Sequence, residues 1–176
     1  LIKQFGGSDL STGFVSSVPY VFGIIGLLII PRSSDRLNDR YGHLAVLYVL
    51  GAIGLFFSAW LTVPMLQLAA LSLVAFSLFS CTAIFWTLPG RFFAGASAAA
   101  GIALINSVGN LGGYIGPFVI GALKEYTGNL ASGLYFLSGV MLFGLFLTFV
   151  VYRTLERKHV LQSSEFAASA RATTHL

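Results

Sequence analysis

Hydrophobic positions along this chain fall in long unbroken blocks, not at the two-residue or 3.6-residue spacing of a half-solvated strand or helix. Four stretches contain no Asp, Glu, Lys or Arg: 10–31, 41–90, 92–123 and 126–152, which are 22, 50, 32 and 27 residues long. A bilayer core takes about 20 apolar residues per helix, so the first, third and fourth stretches each fit one span and the second holds two. The pattern predicts an all-α membrane protein with five transmembrane helices. Turn signals place them. The first helix covers about Leu10 to Ile30, with Pro19 inside it and Pro31 at its end, and the polar segment 32–40 after it reads as a loop in water. The second runs from Leu44 to Trp60, the Thr62-Val63-Pro64 hinge follows, and the third covers 65–88. Leu88-Pro89-Gly90-Arg91 breaks the chain, a small-residue run leads into a fourth helix over about Ala96 to Leu123, and a fifth covers about Ala131 to Tyr152. Three parts result: 1–8 as the end of a truncated upstream helix, 9–152 as a five-helix bundle, and 153–176 as a polar tail whose composition reads as disordered. The opening Leu1-Ile2-Lys3-Gln4-Phe5, with neither an initiator Met nor signal-peptide architecture, reads as a start partway through a protein.

Composition sharpens this reading. Of 176 residues, 56% are hydrophobic and 9% charged, against about 25% charged in soluble domains. The net charge of +4 and pI near 9.5 do not indicate nucleic acid, because the basic residues cluster between apolar blocks and not along one soluble face. They are a topology signal instead. Arg32, Arg36, Arg40, Arg91, Arg153, Arg157, Lys158 and Arg171 fall on one side of the membrane, and only Lys3 and Lys124 on the other. By the positive-inside rule the first side is cytoplasmic, which puts the carboxyl terminus inside a multi-pass protein of the cytoplasmic membrane. The single cysteine, Cys81, lies in an apolar run and offers neither a disulfide nor a metal site.

Catalysis needs a nucleophile with its base, paired carboxylates or metal ligands within reach of one another. The spans supply none: His43, His159 and His175 lie outside them, and every Asp and Glu is in a loop or tail. An enzyme is not expected, and neither a metal nor another cofactor is implied.

The fourth helix carries the unusual chemistry. Asn106 and Asn110 sit one turn apart near mid-span, where polar side chains are costly. At 100° per residue they share a face with Ala99, Ile102, Gly109, Gly113 and Pro117. One reading is helix packing, since Gly109 with Gly113 and Gly112 with Gly116 make small-xxx-small pairs. The other is a cavity wall, in which the amides hydrogen-bond a solute and the glycines with Pro117 let the helix bend. The residues alone leave both open. On the third helix, Ser72, Ala75, Phe79, Thr82, Ala83 and Trp86 share a face that is either core or cavity, and Trp86 also suits an interfacial belt. Ser77, Ser80 and Thr87 are expected to bond back to their own helix. In the loop, Asp35-Arg36 and Asp39-Arg40 alternate in sign, either as a solvated basic loop or as a clamp between helix ends.

These residues resemble a family. Asp35-Arg36 with Arg40 is similar to the second copy of the loop signature of the major facilitator superfamily, between the second and third helices of its carboxyl-terminal half. The run from Ala99 to Pro117, AAGIALINSVGNLGGYIGP, resembles the penultimate helix of the anion:cation symporter branch, and Phe85-Trp86-Thr87-Leu88-Pro89 resembles the end of that branch's preceding helix. The resemblance covers about Leu1 to Lys158. It implies the last five of twelve helices, a substrate-contacting set of Asn106 and Trp86 with Thr82 and Asn110 as lesser members, and gating or loop positions at Asp35, Arg36, Arg40, Gly109, Gly113 and Pro117. The implied activity is secondary active transport of a small organic anion, a carboxylate, by proton symport. The implied partners are that anion, protons, the lipid bilayer and a missing amino-terminal half of the same polypeptide. Pro31 stands where the loop signature has Gly, and Ala83 and Phe85 stand where sugar-acid members carry hydroxyls, which points to a dicarboxylic or aromatic substrate. The alternatives are a multidrug exporter of the same superfamily and a non-transporting membrane scaffold whose glycine face is a dimer interface.

Overall fold

The first long block forms helix α1, Asp9–Leu37, which continues past the point where the residues turn polar. The structure, a computed structural model, describes the backbone of residues 9–92 and 96–173 and the side chains of 13–90 and 97–154. After α1 come α2 (Arg40–Trp60), α3 (Pro64–Phe85), the four-residue α4 (Pro89–Phe92), α5 (Ala96–Thr127) and α6 (Ala131–Thr173). Five of these are long and apolar enough to cross a bilayer, over Gly13–Leu37, Arg40–Trp60, Pro64–Phe85, Ser97–Thr127 and Ala131–Thr154. No strand occurs among the described residues. The chain is an all-α membrane protein.

Two sequence expectations change at the first connection. Pro31 does not end α1, and 32–37 is helix, so the connection is only Asn38 and Asp39. A proline fixes φ near the helical value and removes one donor, here the one that would reach the Leu27 carbonyl. Extension of a helix already formed adds one hydrogen bond per residue, which carries α1 through that single loss. The stop comes from Asn38, whose φ of 49° places it in the left-handed region. Asp39 N–H bonds Ser34 O at 3.2 Å and Asn38 N–H bonds Asp35 O at 3.3 Å, the two bonds of a Schellman termination. Asp39 then opens α2, its carboxylate accepting the Gly42 N–H at 2.8 Å.

Elsewhere the boundaries follow the same chemistry. Pro64 opens α3 at its first position, and α5 ends at Gly128, whose φ of +70° lets its N–H reach Lys124 O at 2.9 Å. The third helix ends at Phe85, three residues before the expected Leu88, because Trp86 caps it and Thr87 and Leu88 turn the chain. In α6 the backbone stays helical to Thr173, where composition reads as disorder. Ala, Arg, Leu and Glu, all strong helix formers, make up about half of that segment, and it extends an existing helix at no nucleation cost. The expected upstream end over 1–8 lies outside the described residues.

In space the long helices follow the order α1, α3, α2, α6, α5, with extended packing between each of the first three pairs and lighter packing of α5 on α6. Lipid is as apolar as leucine, so helices in a bilayer associate through close backbone approach and interhelical hydrogen bonds. Both are visible. A Cβ at Gly26 would lie 2.7 Å from the Phe76 carbonyl on α3, and one at Gly54 would lie 2.9 Å from the Ala70 carbonyl. Ser138 of α6 donates to Ala52 O of α2 at 2.9 Å, and Ser77 of α3 donates to Leu47 O of α2. The bond from Ser77 departs from the expected back-bond; Gly51 one turn further along α2 brings the two backbones close enough for the hydroxyl to cross. Ser80 and Thr87 do bond their own helix, to Phe76 O at 2.7 Å and Ile84 O at 2.6 Å. A small core of Leu44, Leu47, Cys81 and Ile84 sits where α2 meets the end of α3.

Candidate functional site

Asn106 and Asn110 lie on α5, about 15 Å and 21 Å from its first residue at 1.5 Å per residue. Both are exposed, as are Gly109, Gly113 and Pro117. Nothing approaches within 4 Å of a Cβ built at Gly109, Gly112, Gly113 or Gly116. The small-residue pairs of α5 are therefore not used in packing among the described residues. The close glycine contacts instead fall on α1, α2 and α6, at Gly23, Gly26, Gly54 and Gly144. Spacing could have found three of these, since Gly23 with Gly26 and Gly51 with Gly54 are three apart and share a helix face.

Geometry explains why the Asn face stays open. The less exposed side of α5, marked by Ala98, Gly101, Ile105, Gly116 and Leu123, lies roughly 100° around the helix from Asn106. Contact with α6 includes Ile120, three residues beyond Pro117, which fills the space above Gly133. Pro117 adds a polar backbone group to the open face. It removes the donor that would satisfy the Gly113 carbonyl, which lies one turn below it beside the two amides. Two carboxamides and a carbonyl without its helical donor thus converge on one stripe. In hydrocarbon each would need a partner or water.

Thr82 lies on α3 and Trp86 caps it, and α3 has no extended packing against α5 among the described residues. Thr82 is exposed, with its hydroxyl donated to Leu78 O at 2.8 Å. Trp86 is 42% exposed at the very end of α3, edge-on to Phe85 with ring centroids 5.6 Å apart. Of the rest of the predicted stripe, Ser72 is buried, Ala75, Phe79 and Ala83 are half-buried, and Phe79 packs against Gly23 and edge-on to Tyr20 of α1.

At the α1–α2 joint, Arg40 Nη2 lies 2.9 Å from Asp35 Oδ1, with Arg40 mostly covered and Asp35 exposed. The pair closes the joint itself, not either sequence-adjacent couple. Asp39 is occupied as the α2 cap, and Arg36 makes no ion pair among the described residues. His43, placed by the structure in the first turn of α2, adds a link that the sequence did not signal: its Nε2 is 3.2 Å from Ser33 Oγ on α1. An exposed pair contributes about 0–1 kcal/mol. A double-mutant cycle with Asp35→Asn and Arg40→Gln, read by thermal unfolding in detergent, is therefore expected to give a coupling of no more than about 1 kcal/mol.

This is a multi-pass α-helical membrane protein with a polar stripe on an uncovered helix and no cluster of three metal-ligating side chains among the described residues. Its relatives are transporters. It is 75% identical over 159 residues to a quinolone resistance transporter of Acinetobacter baumannii, a match covering 90% of this chain and 37% of that protein. Over 154 residues it is 40% identical to a putative tartrate transporter of Agrobacterium vitis, with 88% of this chain and 34% of that protein covered. Over 148 residues it is 30% identical to the inner membrane transport protein RhmT of Escherichia coli K12, covering 83% and 34%. The chain spans about a third of the length of these curated relatives. No family model and no solved structure matches it. These relatives are named as transporters and not as enzymes.

Proposed function

We propose that this chain is the carboxyl-terminal part of a secondary active transporter of the major facilitator superfamily, anion:cation symporter branch, which moves a small organic anion across the cytoplasmic membrane with protons. The observation that carries the reading is the open stripe of Asn106, Asn110 and the Gly113 carbonyl on α5, at mid-depth in a helix that packs on α6 and α4 among the described residues. Carboxamide N–H groups donate to a carboxylate, and carboxamide and backbone carbonyls accept from a hydroxyl. A hydroxylated dicarboxylate uses both. Two relatives named as putative tartrate transporters, each 40% identical, support that substrate class. Trp86 offers an indole N–H near the cytoplasmic mouth, and Thr82 lies one turn deeper. Gly109, Gly113 and Pro117 let α5 bend as the cavity alternates, while the Asp35–Arg40 pair holds the cytoplasmic α1–α2 joint, with Arg36 of the same loop signature on its outer face. No Asp, Glu, Lys or Arg lies within the apolar stretches 10–31, 41–90, 92–123 and 126–152. The attracting positive charge and the proton-coupling acid are therefore supplied by the rest of the transporter, its amino-terminal half.

A second reading has one observation in its favour, the 75% identity to a quinolone resistance transporter, and makes the protein an exporter. Uptake into proteoliposomes decides between them. With an imposed gradient, acid outside, the complete protein is expected to accumulate labelled tartrate, and a protonophore is expected to abolish that accumulation. Failure to accumulate tartrate, together with proton-driven movement of a quinolone, would establish the exporter.

A further inference from the structure

The outward face of α1 ends in a groove lined by Leu28, Ile29, Arg32, Ser33, Arg36 and Leu37. Arg32 and Arg36 are four residues apart, hence on one face, and both are exposed. That face is turned away from the other described helices, since Gly23, Gly26 and Ser34, the buried positions of α1 among the described residues, lie about 80–180° round the helix from the two arginines. No carboxylate lines the groove. The nearest acid in sequence, Asp35, is engaged by Arg40 at 2.9 Å. Arg32 donates one guanidinium N–H to the Leu28 carbonyl of its own helix. A guanidinium has five such donors, so most of its capacity is unspent.

Below the two arginines the groove is apolar and open. Leu28 is 50% and Ile29 56% exposed, and both belong to the apolar stretch that ends at Pro31. Arg32 is thus the first polar residue beyond the hydrocarbon-matching segment, at the depth of lipid phosphates. We propose that Arg32 and Arg36 form a binding site for the phosphodiester of an anionic glycerophospholipid, with an acyl chain lying along Leu28 and Ile29. The guanidiniums match a phosphate in charge and in bidentate geometry, and the walls beneath them match a chain that free phosphate lacks. Positive-inside topology accounts for the charge of these residues but not for their common face, their freedom from acids or the apolar trough beneath.

The complete protein, reconstituted in phosphatidylcholine vesicles containing phosphatidylglycerol and then transferred to detergent, is expected to retain phosphatidylglycerol in preference to phosphatidylcholine, as counted by native mass spectrometry. Each basic residue near an anionic lipid surface is worth a factor of about five, so Arg32→Gln with Arg36→Gln is expected to lower that preference by about 30-fold. Arg32→Lys with Arg36→Lys preserves the topology signal but loses the fork, so retention is expected to fall in between. Equal retention of the two lipids by the unsubstituted protein, equal phosphatidylglycerol retention by the doubly Gln-substituted protein, or displacement of the lipid by millimolar inorganic phosphate would each overturn the proposal.

Discussion

Asn106→Ala is expected to weaken carboxylate uptake by about 10- to 100-fold while the unfolding midpoint stays where it was. A hydrogen bond to a charged group is worth about 1.5–3 kcal/mol, and each 1.4 kcal/mol is a factor of ten in affinity. The stability half of the expectation follows from exposure. Asn106 lies on a face that no other described helix covers, and exposed substitutions of this kind stay within about 0.5 kcal/mol. Asn106→Asp should be worse than alanine for an anion, because it puts a like charge beside the substrate. Initial rates of labelled tartrate uptake over a range of concentrations, with a thermal melt of each purified variant, supply both readouts. Unchanged uptake in Asn106→Ala would return the residue to a packing role.

The second large effect concerns assembly. Gly26→Val is expected to destabilise the protein by about 1–3 kcal/mol or more, the cost of overpacking a tight contact. A Cβ at position 26 would sit 2.5 Å from Ser80 Oγ and 2.7 Å from the Phe76 carbonyl oxygen. The hydroxyl can rotate away, but the carbonyl belongs to the α3 backbone, so α1 and α3 must separate along their length. Gly139→Ala is the matched control, since nothing lies within 4 Å of a Cβ there. A lower unfolding midpoint and yield for Gly26→Val beside an unaltered Gly139→Ala is the expected pattern, measured by thermal unfolding in detergent. Equal midpoints would show that α1 and α3 do not meet through this glycine.

Much of the architecture was legible before any coordinates. The charge-free lengths led to five spans, and each falls on a helix long and apolar enough to cross a bilayer. The ends were harder to read. Pro31 and the charges after it looked like a loop, yet α1 keeps its helical bonds to Leu37, because proline deletes one donor and leaves the propagation of the helix otherwise intact. Asn38 was the true terminator, and only its left-handed backbone reveals that. The candidate site divides in the same way. Periodicity put Asn106 and Asn110 on one stripe with the glycines, which the helix preserves, but it could not say whether another helix covers that stripe.

Which of the spaced glycines join helices could not be chosen from pattern. The chain has 20 glycines, and small-xxx-small spacing pointed to α5, whereas the close approaches occur at positions such as Gly26 and Gly54. Hydropathy and turn chemistry are properties of each segment taken alone, so the residue order by itself determined the number of spans, the clustering of charge between them and the mid-span amides. Contact is a property of pairs of segments. In lipid no difference in hydrophobicity tells one apolar face from another, so only the three-dimensional arrangement, decided by backbone approach and crossing hydroxyl bonds, joined α1 to α3 and left the amide face of α5 uncovered.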